Sequence, residues 1–198
     1  SPICSGSDLS LTASIVGGST YIWNGPNGFI SAIQDPVIIA ATTAETGTYS
    51  VSATENGCTG PAGTTSVTVN PIPAAPTAGS NSPLCTGNTL NLTASVIAGA
   101  TYSWTGPNGF TSTSQNPSIA GVTTADAGTY SVSVTVAACP GPAGTVSVSI
   151  APPTPAPTAG SNTPVCSGST LSLTASTVVG ASGYTWTGPN GFTSATQD

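Results

Sequence analysis

The chain has no lysine, no arginine, no histidine and no methionine, and only six acidic residues in 198. Charged residues make up 3% of it, against about 25% in an ordinary soluble domain. Without cations there is no basic patch to neutralise phosphates, which excludes nucleic acid as a partner. Without histidine there is no imidazole base, no Ser-His-Asp triad and no histidine metal ligand. A Walker-type phosphate loop would need its lysine. The acids Asp8, Asp35, Glu45, Glu55, Asp126 and Asp198 are scattered. Only Asp126 lies between Ser82 and Asn162, so no carboxylate pair recurs for glycosidase chemistry. Neither an enzyme nor a cofactor is expected. No apolar run approaches the roughly 18–20 residues of a membrane span, so membrane insertion is not expected either.

What is present is order. Apolar residues make up 37% of the chain and fall in a pattern that repeats. Cys4, Cys85 and Cys166 are spaced by 81 residues, as are Trp23 and Trp104, and Tyr49 and Tyr130. Trp104 and Trp186 are 82 apart, which places a one-residue insertion near Gly183. A period of this length suits a small domain and is too long for one solenoid turn. The expected organisation is unit 1 over residues 1–72, with an incomplete first strand, unit 2 over 73–153, and the first half of unit 3 over 154–198. The opening "SPICSGS" recurs as "SPLCTGN", so the chain is expected to begin inside a repeat, with targeting segments elsewhere in a parent protein. Between units lie "NPIPAAPTAGSN" and "APPTPAPTAGSN". Their spaced prolines favour polyproline II and can also begin a first edge strand; both are expected, with semi-rigid linkers at about Pro71–Pro76 and Pro152–Pro157 and few contacts between successive domains.

Within unit 2, "LNLTAS" alternates, setting Leu90, Leu92 and Ala94 on one face. Tyr102 and Trp104 share a face, as do Tyr130, Val132, Val134 and Val136, and again Val146, Val148 and Ile150. A period of two, rich in β-branched residues and broken by Gly, Pro and Asn turns, predicts short antiparallel strands in a β-sandwich. The heptad "WTGPNGF" stands at Trp104–Phe110 and Trp186–Phe192, with "WNGPNGF" at Trp23–Phe29. It has two readings. As a turn, Pro107 presets the first position, Asn108 tolerates the second and Gly109 supplies the positive φ of a three-residue hairpin loop, with Trp104 the buried anchor beside it. As a ligand loop, it would offer Asn27 and Phe29, Asn108 and Phe110, and Asn190 and Phe192, once per unit. The exposure of the three phenylalanines separates the readings.

A B-strand pattern, a tryptophan about ten residues on and "DAGTY" at Asp126–Tyr130 together resemble the immunoglobulin-like fold. The last looks like a tyrosine corner, with "ETGTY" at Glu45–Tyr49 its counterpart. The resemblance implies all-β, tandem immunoglobulin-like sandwiches joined by short Pro-rich linkers. Trp23, Trp104 and Trp186 would be core anchors, and Tyr49 and Tyr130 would fix the corners. The family's usual inter-sheet cysteines align with Ala94 and Val132, and with Ala13 and Val51, so that disulfide is absent. No arginine exists to pair the corner acid, and Asp126 is expected to accept backbone N–H bonds instead.

The cysteines sit elsewhere: 54 residues separate Cys4 from Cys58 and Cys85 from Cys139. Two cysteines without histidine cannot complete a zinc site. One disulfide per unit, Cys4–Cys58 and Cys85–Cys139, is the expectation, with free buried thiols the alternative and the partner of Cys166 falling beyond residue 198.

The string "C-x-G-x-x-L-x-L-T-A-S … Y-x-W-x-G-P-N-G-F … Q-x-P … T-T-A-[DE]-x-G-T-Y-x-V" resembles the tandem Ig-like, PKD-like repeats of very large Bacteroidota surface adhesins, gliding-motility adhesins among them. That resemblance implies type IX secretion, display on the extracellular cell surface, and anchoring through regions outside this chain. The expected function is a non-catalytic structural stalk. The alternative is that each unit binds a glycan or surface through its GPNGF hairpin. Repeated acidic ligands for linker calcium are missing, and the sequon at Asn91 occurs once.

Overall fold

The computed structural model describes residues 2–198 and is all-β. In unit 2, the alternation of Leu90–Ala94 becomes a strand whose leucines and Ala94 are buried while Asn91 and Thr93 face solvent. This strand pairs antiparallel with Ala78–Ser80 on one side and Ser118–Ile119 on the other. The facing sheet is built on Gly128–Val136, which pairs with Thr101–Thr105, Cys139–Pro140 and Gly144–Val148. Thr101–Thr105 turns back through the heptad into Thr111–Ser112. Leu84–Cys85 pairs parallel with Ile150–Ala151 and closes the unit at its far end.

The core lies between the sheets. Leu90, Leu92, Trp104, Tyr130 and Val132 are all at most 1% exposed, while Val136 and Val146 are half-buried. Burying each large apolar side chain contributes about 1.5–3 kcal/mol, which is how a unit almost without ion pairs stays folded.

Unit 1 repeats the arrangement register for register: Trp23 lies opposite Val51 as Trp104 lies opposite Val132. It differs at one edge. Leu9–Ser10 pairs only with Val37–Ile38, with no counterpart of Ala78–Ser80 beside it. In unit 3, Ala159–Ser161 pairs with Leu173–Ala175 and Trp186–Thr187 with Thr193–Ser194. Trp186 is only half-buried, contrary to its expected role as a core anchor. The residues that cover Trp104, on the strand Gly128–Val136, have no equivalents within residues 154–198.

The first linker is not a free spacer. Pro76 is fully buried, the Thr77 N–H donates to Ser95 Oγ at 2.9 Å, and the Ser95 N–H donates to the Thr77 carbonyl at 2.9 Å. The chain at Pro73 and Pro76 runs so close to Gly141 and Gly144 that a Cβ on Gly141 would sit 2.6 Å from the Pro73 carbonyl oxygen, and one on Gly144 would overlap that of Pro76. These contacts lie within unit 2 itself; the junction with unit 1 is crossed by the Cys4–Cys139 bond and by the Asn70 amide on the Ala137 carbonyl. Proline stiffens the segment, and two glycines let it lie flat on the domain that follows.

Candidate functional site

The heptad packs onto the corner of its own unit, residue by residue. Trp104 donates its indole N–H to the Gln115 carbonyl at 3.2 Å, and Trp23 donates to that of Gln34 at 3.0 Å. A side chain at Gly25 or Gly106 would collide with the ring of Tyr49 or Tyr130. Gly128 has φ +140°, and a Cβ there would meet the Pro107 ring at 2.8 Å. Asn27 and Asn108 donate their amides to Glu45 at 2.6 Å and Asp126 at 3.1 Å. Phe29 stands edge-on to Tyr49 with ring centroids 5.6 Å apart, and Phe110 to Tyr130 at 5.5 Å. Such aromatic pairs add about 0.5–1.5 kcal/mol beyond their burial.

The corner itself is a second set of short bonds. Tyr49 and Tyr130 donate their hydroxyls to the carbonyls of Glu45 and Asp126, each at 2.9 Å. Asp126 accepts from the Thr123 N–H at 2.8 Å and the Thr123 hydroxyl at 2.9 Å. Glu45 accepts from the Thr42 N–H at 2.6 Å and its hydroxyl at 2.7 Å. These donors replace the missing arginine. The Thr42 hydroxyl, then the Asn27 amide and the Thr42 N–H, hold Glu45 below the usual carboxylate range. For Asp126 the Thr123 N–H leads, followed by the Asn108 amide and the Thr123 hydroxyl. Burial, and then the neighbouring carboxylate, raise the hydroxyls of Tyr49 and Tyr130 above the ordinary phenol value.

The turn differs by one residue from the sequence expectation. Asn108 has φ 54° and ψ 28°, Gly109 has φ +72°, and the Phe110 N–H returns to the Pro107 carbonyl at 3.0 Å. Two successive positive φ values make a type I′ turn centred on Asn-Gly, with proline flanking it. Asparagine thus suits the left-handed backbone as well as supplying its amide, and Asn27 and Asn190 adopt the same backbone geometry. Phe29 and Phe110 are half-buried. Phe192 is 46% exposed in unit 3, where no corner tyrosine stands opposite it.

The Q-x-P element was legible as a recurring string but suggested no role. Gln34 and Gln115 donate amides to the carbonyls of Ala13 and Ala94 at 2.9 and 2.8 Å. Asp35 and Asn116 accept from the N–H groups of the same alanines at 2.9 and 3.0 Å. The pair stitches the end of one sheet to the loop beneath the core tryptophan.

The cysteine pairing is a correction. Cys4 is bonded to Cys139, with Cα atoms 5.5 Å apart and 135 residues between them in sequence. Cys58, Cys85 and Cys166 are free and exposed, so neither Cys4–Cys58 nor Cys85–Cys139 forms. The reason is polar geometry. Cys4 lies on the strand Ile3–Cys4 beside Val69–Asn70, where the chain leaves unit 1. Cys58 and Cys139 lie past the hairpins at the opposite ends of their units, and Cys139 faces unit 1 across the linker. Asn70 also donates its amide to the Ala137 carbonyl at 3.4 Å across this junction.

Compared with known proteins, residues 74–148 match the PKD domain. Unit 2 is thus similar to the PKD domain and has an immunoglobulin-like fold. A marsupial T cell receptor structure is similar over 93% of this chain and 81% of its own, with 13% identity and a TM-score of 0.50. The mouse coronavirus receptor-binding domain complexed with its murine receptor supplies another similar structure, covering 76% of this chain and 96% of its own, with 13% identity and a TM-score of 0.50. At that identity the likeness is one of fold. No curated protein matches the sequence. The β-sandwich expected from the strand pattern, and the tandem immunoglobulin-like arrangement implied by the resemblance, are the fold observed. Among the described residues no group of three His, Cys, Asp or Glu could hold a metal ion, and no helix is long and apolar enough to cross a membrane.

Proposed function

We propose that these PKD-type units form a non-catalytic stalk in a large secreted cell-surface adhesin, a reading in which their task is length and stiffness. The observation that carries it is the engagement of the heptad. In units 1 and 2 its indole, amide and ring are bound to the unit's own corner and loops, so the repeated motif serves the frame of the domain. The apolar strand face that remains outward does not repeat. Unit 1 exposes Ile22, Ile30, Ile33, Val37 and Ile39, where unit 2 has Ser103, Thr111, Ser114, Ser118 and Ala120. A binding module present in every unit would need a face present in every unit. That weighs against binding through the strand faces, and the packing of the half-buried Phe29 and Phe110 on Tyr49 and Tyr130 weighs against glycan binding through each GPNGF hairpin.

The inter-unit disulfide and the docked linker support stiffness, and a disulfide suits an oxidising, extracellular setting. Export by type IX secretion, anchoring through other regions and a part in gliding motility or surface attachment complete the proposal, on the strength of the repeat string. Small-angle scattering on the oxidised chain tests the mechanical core of it. A thin, elongated particle is expected, and a compact one would remove the stalk reading. Loss of surface attachment by the parent adhesin on replacing Asn108 and Phe110 together, with the fold intact, would move the function into the hairpin.

A further inference from the structure

The bond between Cys4 and Cys139 joins the first cysteine of one unit to the second cysteine of the next. Shifted by one repeat in either direction, the same bond needs Cys58 as its second cysteine, or Cys85 as its first. Both are free and exposed. Cys85 sits on Leu84–Cys85 beside Ile150–Ala151, the position that Cys4 holds in unit 1. Cys58 follows a hairpin with positive φ at Asn56 and Gly57, as Cys139 follows one at Ala137 and Ala138.

Two further features of unit 1 match a partner. The first is a pair of glycines. Gly141 and Gly144 of unit 2 have no room for a Cβ because the linker runs over them, and their equivalents are Gly60 and Gly63. Nothing inside unit 1 demands glycine there. A Cβ on Gly63 would come no nearer than 3.9 Å to any atom, one on Gly60 no nearer than 3.7 Å, and neither residue is in the left-handed region. The second is a cleft of about 400 Å³ bordered by Ala13, Ser14, Tyr21, Val51, Gly63 and Thr64. In unit 2 the corresponding groove is filled by its own linker and the strand Ala78–Ser80, with Thr77 bonded to Ser95, the equivalent of Ser14.

We infer that the Cys58 pole of unit 1 is an acceptor site for another copy of this repeat. Its Pro-rich linker and first strand would fill the cleft over Gly60 and Gly63, and its first cysteine would bond to Cys58. Cys85 is the donor half of the same joint, open to the second cysteine of a following copy. The units thus form a ladder in which each successive pair is covalently bridged. The inference stands on connectivity and does not rest on the stalk reading. The chemistry is thiol–disulfide exchange with a small disulfide such as oxidised glutathione. One cysteine thiolate attacks the glutathione disulfide, releasing a glutathione thiolate and leaving a mixed disulfide. The second cysteine thiolate displaces the other glutathione. Two protein thiols and one glutathione disulfide become one protein disulfide and two glutathione thiols.

The test is the full chain extended at its start by a second copy of residues 73–162, which places a complete unit and linker ahead of Ser1 in the natural spacing. After oxidation with glutathione disulfide, peptide mapping without reduction should find Cys58 bonded to the added copy's Cys85, alongside Cys4–Cys139. Three thiols should remain among the seven cysteines of the extended chain. Gly63→Val in the extended chain should lower formation of the Cys58 bridge about tenfold, the effect of modest overpacking, and leave Cys4–Cys139 intact. Cys58 still free while Cys4–Cys139 has formed would overturn the proposal, as would bridges within units. Failure of Cys4–Cys139 itself would remove its basis. Any of these results is independent of particle shape, so the stalk reading stands or falls separately.

Discussion

Replacing Gly144 with alanine places a methyl group on the carbonyl oxygen of Pro76. The obstacle is backbone on both sides, so no side chain can swing away. Either the strand Gly144–Val148 or the linker must move, and the linker is held by fewer bonds. Overpacking of a filled site costs about 1–3 kcal/mol. Lifting the linker also breaks the two Thr77–Ser95 hydrogen bonds, at about 0.5–1.5 kcal/mol each. The expected loss is about 2–6 kcal/mol, confined to unit 2. Gly63→Ala is the same change one repeat earlier, where the nearest atom to the new methyl is Val51 Cγ1 at 3.9 Å. It should alter stability by no more than about 0.5 kcal/mol, as an open surface site does. Because two domains unfold in one chain, a single unfolding free energy is ill defined. Hydrogen exchange in rising urea, followed separately on peptides from Gly128–Val136 and Gly47–Glu55, resolves the units. Equal effects at the two glycines, or a neutral Gly144→Ala, would show that the linker does not dock as described.

Trp104→Ala should destabilise unit 2 by about 3–5 kcal/mol, since the ring is wholly buried and its N–H is bonded; a loss under about 1 kcal/mol by the same measurement would mean the ring is not a core anchor. Glu45 and Asp126 have folded-state pKa values held below their unfolded ones, so their contribution is present in full above the unfolded carboxylate value of about 4 and is lost as pH falls through the folded values. Acid titration followed by tyrosine near-UV circular dichroism should therefore show the corners loosening below that range, and Asp126→Asn should flatten the unit 2 response; an unchanged acid profile in that variant would place the pH sensitivity elsewhere.

The strands and the core were legible in the sequence because a half-buried strand must alternate, and Leu90, Leu92, Trp104 and Tyr130 do so with polar residues between them. The corner was legible because its tyrosine needs an acceptor at a fixed offset. Cysteine pairing was not. In a repeat of 81 residues, a bond between equivalent cysteines within a unit spans 54, and one to the next unit spans 135, a difference of one period. Spacing cannot separate those two, and only the placement of each cysteine at an exit or entry pole does. The turn was misread by one position because proline drew attention to itself, while the residues that needed left-handed backbone were the Asn and Gly after it. The roles of Gln115 and Asn116 depend on a loop reaching under the tryptophan, and no local periodicity reports that. The need for glycine at Gly141 and Gly144 comes from a linker distant in sequence that lies across them, which no local pattern reports.

The junction between units 1 and 2 is held at two places, the proline segment and the Cys4–Cys139 bond. A single connection is a swivel, free to rotate about its own axis, whereas two separated attachments resist twisting as well as bending. They also close a covalent ring. A cut in the segment between Asn70 and Pro76 would leave the two domains joined, and a pulling load would pass through sulfur instead of through the severed backbone. On the proposed stalk reading, the joint that looks weakest in the sequence is then the one with a spare path.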